Sequence, residues 1–75
     1  MTDRKKSIRR IGTNIIETAT ETIEQGIVVI EDGIVIKAYP FTEEEPMTEW
    51  TTGTITIRPD NDGKLRAYKG DQLLK

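Results

Sequence analysis

The apolar residues of the first third of the chain repeat at helical spacing. Between Ser7 and Gln25, apart from the adjacent pair Ile15 and Ile16, successive apolar positions lie three or four residues apart, on one stripe of an α-helix. Gly26 follows, where a glycine commonly ends a helix. Two starts fit: Ser7 caps the helix, or Gly12 breaks the pattern and Asn14 caps it. The pattern predicts a helix over residues 7–25 with the stripe Ile8, Ile11, Ile15, Ile16, Ala19 and Ile23.

Two β-branched runs joined by Asp32-Gly33 follow, and Asp-Gly between such runs is a strong hairpin signal. A two-residue turn places Val29 opposite Ile36 in a hairpin over residues 27–39. Both faces of this hairpin are largely apolar, whereas a strand pair covered on one side alternates apolar with polar residues. One face carries Val28, Ile30, Val35, Lys37 and Tyr39.

The remaining pattern predicts a long loop and a second hairpin. Residues 40–52 hold two prolines and three adjacent glutamates, and form a longer connection than most in compact domains. Residues 53–69 alternate cleanly around a turn at 59–63 and predict a hairpin with one solvated face. The last residues either add an edge strand through Leu73 and Leu74 or fray.

The order of these elements predicts one small domain over residues 1–75. The expected fold class is α+β: one N-terminal helix packed on a four-stranded antiparallel β-meander of two hairpins, in two layers. Residues 1–6 are polar, charged and terminal, so we expect them to form a disordered basic arm.

The composition excludes much chemistry. The 75 residues contain no histidine and no cysteine, which supply most general bases near neutral pH, thiolate nucleophiles and zinc ligands. The turn ending at Gly63 is similar to part of a calcium loop, but Arg58 and Lys69 stand where that loop needs acids. We therefore expect no enzyme, no catalytic or metal-binding residue and no cofactor.

The composition also bears on location. No run approaches the ~20 apolar residues that span a bilayer. The lack of cysteine fits a reducing compartment. We expect a cytoplasmic protein without membrane contact.

Charge divides the chain into a basic arm and an acidic body. Residues 1–10 hold five basic side chains and Asp3, a net charge of +4, and residues 11–75 carry −6. A basic terminus either keeps a protein soluble or contacts phosphates. The second reading makes a nucleic-acid-binding accessory protein the alternative function, with phosphate contacts from Arg4, Lys5, Lys6, Arg9 and Arg10.

The two-sided apolar hairpin indicates self-association. A domain this small without disulfides needs an economical core or a second copy. One hairpin face takes the helix, and the other needs a cover, either the loop over residues 40–52 or a second copy. The second copy predicts a homo-oligomer, most simply a dimer, with the interface Val28, Ile30, Val35 and Tyr39.

The acidic loop carries the leading functional hypothesis. Aromatic anchors beside charge are typical of interface hot spots. The alternative is a solvated loop whose Trp50 folds back onto the first hairpin. The first reading predicts a small protein–protein interaction or regulatory, inhibitory protein that docks on another protein through Phe41, Glu43, Glu44, Glu45, Met47 and Trp50.

Overall fold

The computed structural model describes residues 8–42 and 48–75, and every regular element in these two ranges is a strand. The prediction of an N-terminal helix on a four-stranded meander is therefore wrong, and the described chain is all-β rather than α+β. The strands are β1 (Ile8–Glu17), β2 (Thr22–Glu31), β3 (Ile34–Pro40), β4 (Thr48–Trp50), β5 (Thr54–Pro59), β6 (Leu65–Lys69) and β7 (Gln72–Leu74).

The central strand of the single sheet is β1. The sheet runs in the order β3-β2-β1-β5-β6-β7. On one side β1 pairs antiparallel with β2; on the other it pairs parallel with β4 and then with β5. The remaining neighbours are antiparallel. β3 also approaches β6, so the sheet curls toward a partly closed barrel.

The segment expected to be a helix is a hairpin of two long strands joined by a threonine turn. The hydroxyl of Thr18 accepts hydrogen bonds from the amides of Thr20 and Glu21 at 3.2 and 3.0 Å. The amide of Thr18 donates to the carbonyl of Glu21 at 2.9 Å. Threonine suits both roles here, since its hydroxyl closes turns and its branched side chain favours strands.

An irregularity in this hairpin explains how isoleucines at helical spacing fit into a strand. The ladder between β1 and β2 is interrupted at Asn14 and Gln25, and Gln25 has a φ of 54°. Alternation changes sides at that point. Ile11 and Ile16, which lie five positions apart, therefore both reach the same core. A strand with one such interruption imitates a helical stripe.

The core lies on one face of the curled sheet. Three of the four residues expected at a self-interface belong to it: Val28, Ile30 and Val35 are 0%, 1% and 7% exposed. The core takes up these side chains, so self-association, which stays a prediction, has to use others. The core cluster consists of Ile11, Ile16, Val28, Ile30, Val35, Ile55, Ile57 and Ala67.

The first predicted hairpin forms between β2 and β3 with one correction to its register. Ile36 is an extra residue in β3, so Val29 lies opposite Lys37 and not opposite Ile36. Such a β-bulge moves all later residues of its strand to the other face. Tyr39 therefore lies opposite Ile27, on the face away from the core, and not on the face where the simple register places it.

The second predicted hairpin is confirmed as the pair β5 and β6, and β7 adds the short edge strand. Asp60 organises its turn: one carboxylate oxygen accepts the amides of Asp62 and Lys64 at 2.8 and 3.0 Å. Gly63 completes the turn with a φ of 80°, a conformation that favours glycine. Within the described ranges, no helix has the length and hydropathy to cross a bilayer.

Candidate functional site

The face of the sheet opposite the core gathers aromatic and basic side chains. Directly opposed residues of neighbouring strands point to the same side. One row across four strands consists of Tyr39, Ile27, Gly12 and Trp50; the adjoining row consists of Lys37, Val29, Arg10 and Thr48. We name as the aromatic face the side chains that border the buried Ile27 and Val29: Arg10, Lys37, Tyr39, Phe41 and Trp50.

Trp50 is held in place on two sides. Its six-membered ring occupies the space above Gly12 that a Cβ atom would fill. The ring of Phe41 meets it edge to face, with centroids 4.8 Å apart and an interplanar angle of 64°. Trp50 nevertheless remains 48% exposed. The indole is thus positioned by the fold and still presents a large surface to solvent.

The short strand that carries Trp50 is tied to β1 by an ion pair. The guanidinium of Arg9 donates to both carboxylate oxygens of Glu49, at 2.9 and 2.8 Å. A third bond runs from Arg9 to the main-chain oxygen of Lys75 at 2.6 Å. The hydrogen bond from Arg9 lowers the pKa of Glu49, and the same bond raises the pKa of Arg9. Arg9, expected to contact phosphates, is thus engaged by a carboxylate.

A break between β4 and β5 lets both strands follow β1. Gly53, with a φ of 99°, lies at the break. Its carbonyl accepts the buried hydroxyl of Thr13 at 2.8 Å and the amide of Ile15 at 3.1 Å. Its amide donates to the side-chain oxygen of Asn14 at 3.0 Å. These bonds set the position at which β4, and with it Trp50, lies beside β1.

The basic part of the aromatic face lies one row further along the strands. The ammonium of Lys37 is 5.6 Å from the centroid of the Tyr39 ring, within cation–π range. Val29 lies between Arg10 and Lys37 and is 3% exposed, which fits alkyl stems that lie over it while their charged ends reach water. Aromatic and cationic groups therefore share one surface.

The structure brings together only part of the predicted site. Phe41 and Trp50 are in contact. Arg10 joins their face, while Arg9 points to the opposite one. The other predicted residues lie outside the described ranges: Glu43, Glu44, Glu45 and Met47 of the loop, and Arg4, Lys5 and Lys6 of the arm.

Sequence reasoning missed the two residues that shape this surface. Gly12 is the seat of the indole, and Lys37 reaches the aromatic face only because of the bulge at Ile36. A signal for Gly12 exists: an isolated glycine among β-branched residues often marks a close approach of another group. No local sequence pattern predicts the bulge at Ile36.

Within the described ranges, no three acidic side chains come together in a group able to hold a metal ion. No protein-family model, curated protein or solved structure matches the chain.

Proposed function

We propose that the chain is a small non-catalytic binding protein whose aromatic face docks another protein and regulates or inhibits it. The observation that carries this proposal is Trp50, which is 48% exposed although its ring is seated on Gly12 and braced by Phe41. Tryptophan, tyrosine and arginine are the residues most enriched in interface hot spots, and all three occur on this face.

Preorganisation of the Trp50 ring is the energetic reason why this side chain suits a binding surface. Immobilising a side chain on binding costs about 0.5–1.5 kcal/mol, and a ring that the fold already holds avoids much of that cost. The buried Ile27 and Val29 give the face an apolar centre, and the charged ends of Arg10 and Lys37 form part of its rim. This arrangement resembles the apolar core and polar rim of known interfaces. A cytoplasmic location is part of the same proposal.

The test compares Trp50→Ala with Tyr68→Ala. Tyr68 is a half-buried aromatic whose ring lies 4.3 Å from the guanidinium carbon of Arg58, on β6. Proteins retained by the wild type are identified by mass spectrometry, and each candidate is purified for calorimetry. Trp50→Ala should raise the Kd by about thirtyfold or more, as for a hot spot that contributes at least about 2 kcal/mol. Equal affinities for both variants would reject the aromatic face as the docking surface.

A second candidate, single-stranded nucleic acid, is favoured by one observation. Arg10 and Lys37 lie one row from the aromatic residues, and single-strand binding combines aromatic stacking with cations along the backbone. The probe is an oligothymidylate of about twenty nucleotides, followed by fluorescence anisotropy at two salt concentrations. Binding that Arg10→Ala and Trp50→Ala both weaken would support this candidate. Binding unaffected by either would reject it.

A further inference from the structure

An apolar groove lies along the seam where β3 approaches β6, and it has a volume of about 290 Å³. Its floor is continuous with the core, because Val35 and Ile57 belong to both. Ile36 of β3 and Leu65 of β6 also line it. We name this hollow the seam groove. It gives the interior of the curled sheet an opening to solvent.

The two strands at the seam approach each other without pairing. Among the described strands, β3 is hydrogen-bonded to β2 alone, and no ladder joins it to β6. Arg66 of β6 donates to the carbonyl of Gly33, in the turn before β3, at 2.7 Å and holds the two strands together. Their Cα atoms come within 8 Å, whereas two strands that flank a third lie about 9.5 Å apart. The seam is therefore too narrow for an added strand, and a small molecule is the occupant that its hollow suits.

Two large apolar side chains that border this hollow are exposed. Ile36 is 50% and Leu65 45% exposed. A single exposed apolar residue on a surface needs no explanation. Ile36, however, is also the extra residue of the bulge in β3, and bulges often re-aim a side chain next to a functional site. An occupant of the seam groove would take both side chains out of water.

The seam groove offers no charge to its occupant. Lys37 is the one ionisable residue among the described residues that line it. The ammonium of Lys37 lies on the aromatic face, 5.6 Å from the centroid of the Tyr39 ring. An ionised ligand in the groove would lose hydration without gaining a counter-ion, which costs far more than the burial of a neutral apolar group. The groove therefore selects a neutral occupant.

The volume of the groove sets the size of this occupant. An apolar cavity of about 150 Å³ holds one benzene molecule, and the seam groove has about twice that volume. It lies close to the lower bound of ~300 Å³ for ligand pockets, which often occur where a β-barrel opens. Thr18 and Thr20 of the first turn add hydroxyl groups to the lining, which suits a ligand with a hydroxyl of its own.

We propose that the seam groove binds a small, neutral, largely apolar molecule of about the size of two fused rings that carries at most a hydroxyl group. Its rings lie between Ile36 and Leu65, against the floor formed by Val35 and Ile57. The driving force is the apolar surface that the ligand and the two exposed side chains remove from water. The site is distinct from the aromatic face, and neither proposal depends on the other.

The probe is 2-naphthol, which has two fused rings and one hydroxyl group and is uncharged in neutral buffer. The matched control is 2-naphthoate, which has the same rings and a carboxylate. Amide shifts of the isotope-labelled protein give both the affinity and the location. We expect 2-naphthol to shift the amides of residues 35–38, Ile57 and Leu65 with a Kd below about 1 mM. The carboxylate should weaken binding at least about tenfold.

Matched variants locate the binding site. Ile36→Asp places a carboxylate in the wall of the groove and should raise the Kd of 2-naphthol at least about tenfold, and Leu65→Asp on β6 should act in the same way. Ile8→Asp makes the same change at an isoleucine that is 53% exposed and does not line the groove, and should alter the Kd by less than about twofold. Trp50→Ala should leave binding unchanged, so failure of this proposal and failure of the aromatic face are separable. Absent saturation, shifts centred on Trp50, tighter binding of 2-naphthoate, or equal effects of Ile36→Asp and Ile8→Asp would each overturn the proposal.

Discussion

Trp50 and Gly12 occupy opposed positions on neighbouring parallel strands, and the indole ring fills the space above the glycine backbone. The residues on either side of Gly12 are buried: Ile11 is 4% and Thr13 2% exposed. The strand that seats the indole on one face therefore contributes to the core on the other. This relationship makes the position of the exposed tryptophan a property of the fold itself.

Gly12→Ala should displace the indole. A Cβ at residue 12 would fall within 2.8 Å of Cη2 of Trp50, so the ring has to leave its seat. We expect a loss of about 1–3 kcal/mol, as for overpacking. We also expect a red shift of the emission of Trp50, the single tryptophan of the chain, as it becomes more solvated. Urea unfolding and emission spectra measure the two effects.

The double variant Gly12→Ala with Trp50→Ala separates a steric effect from a backbone effect. Removing the ring removes the clash, so adding Gly12→Ala to Trp50→Ala should change the unfolding free energy by less than about 0.5 kcal/mol. A double-variant cycle of this kind isolates the interaction between the two residues. An equal loss in both backgrounds would show that the indole is not what makes glycine necessary at residue 12.

Hairpins were the predictable part of this fold because their signals are local. Asp32-Gly33 and the turn after Pro59 each join runs of strand-forming residues, and the structure pairs those runs. The hairpin of β1 and β2 was misread as a helix because the interruption at Asn14 and Gln25 lets Ile11 and Ile16 share a core. Parallel pairing of β1 with β4 and β5 joins segments some forty residues apart, for which the sequence carries no local pattern.

The candidate site was predictable in its residue types and not in its arrangement. Phe41 is the single phenylalanine and Trp50 the single tryptophan of the chain, which marked them as candidates, and their rings are in contact. Their common face with Tyr39 depends on the bulge at Ile36, and their seat depends on Gly12. Both are properties of strand pairing, which a single sequence does not reveal.

Arg66→Ala should weaken the closure of the sheet. Arg66 donates to the carboxylate of Asp60 at 2.9 Å and to the carbonyl of Gly33 at 2.7 Å, and so joins two turns that lie far apart in the chain. A net hydrogen bond contributes about 0.5–1.5 kcal/mol, so we expect a loss of about 1–2 kcal/mol in urea unfolding. Lys64→Ala, on the same turn, should change stability by less than about 0.5 kcal/mol. Comparable losses in both variants would argue against the closure role.

Acid should loosen the same turn. The hydrogen bond from Arg66, together with the amides of Lys64 and Asp62, lowers the pKa of Asp60 from its ordinary value of 3.8. A lowered folded-state pKa stabilises the protein above the ordinary value, and this stabilisation is lost as the pH falls through the folded-state pKa. The Tm should therefore hold near neutral pH and decline below about pH 4. The Asp60→Asn variant should have a lower Tm than the wild type at neutral pH and a smaller decline of Tm in acid. Equal declines of Tm in the variant and the wild type would exclude Asp60 as a cause of the acid sensitivity.

Light scattering should show no dimer that depends on Val28, Ile30 and Val35, because these residues, expected to form a dimer interface, are part of the core. Ile30 is 1% exposed, so Ile30→Asp places a charge among apolar side chains. This change should lower the free energy of unfolding by more than about 3 kcal/mol and leave the chain unfolded. Ile36→Asp, at a side chain that is 50% exposed, should remain folded. Circular dichroism distinguishes these outcomes. A wild-type dimer that Ile30→Asp converts into a folded monomer would contradict the buried position of this residue and restore the hairpin face as a self-interface.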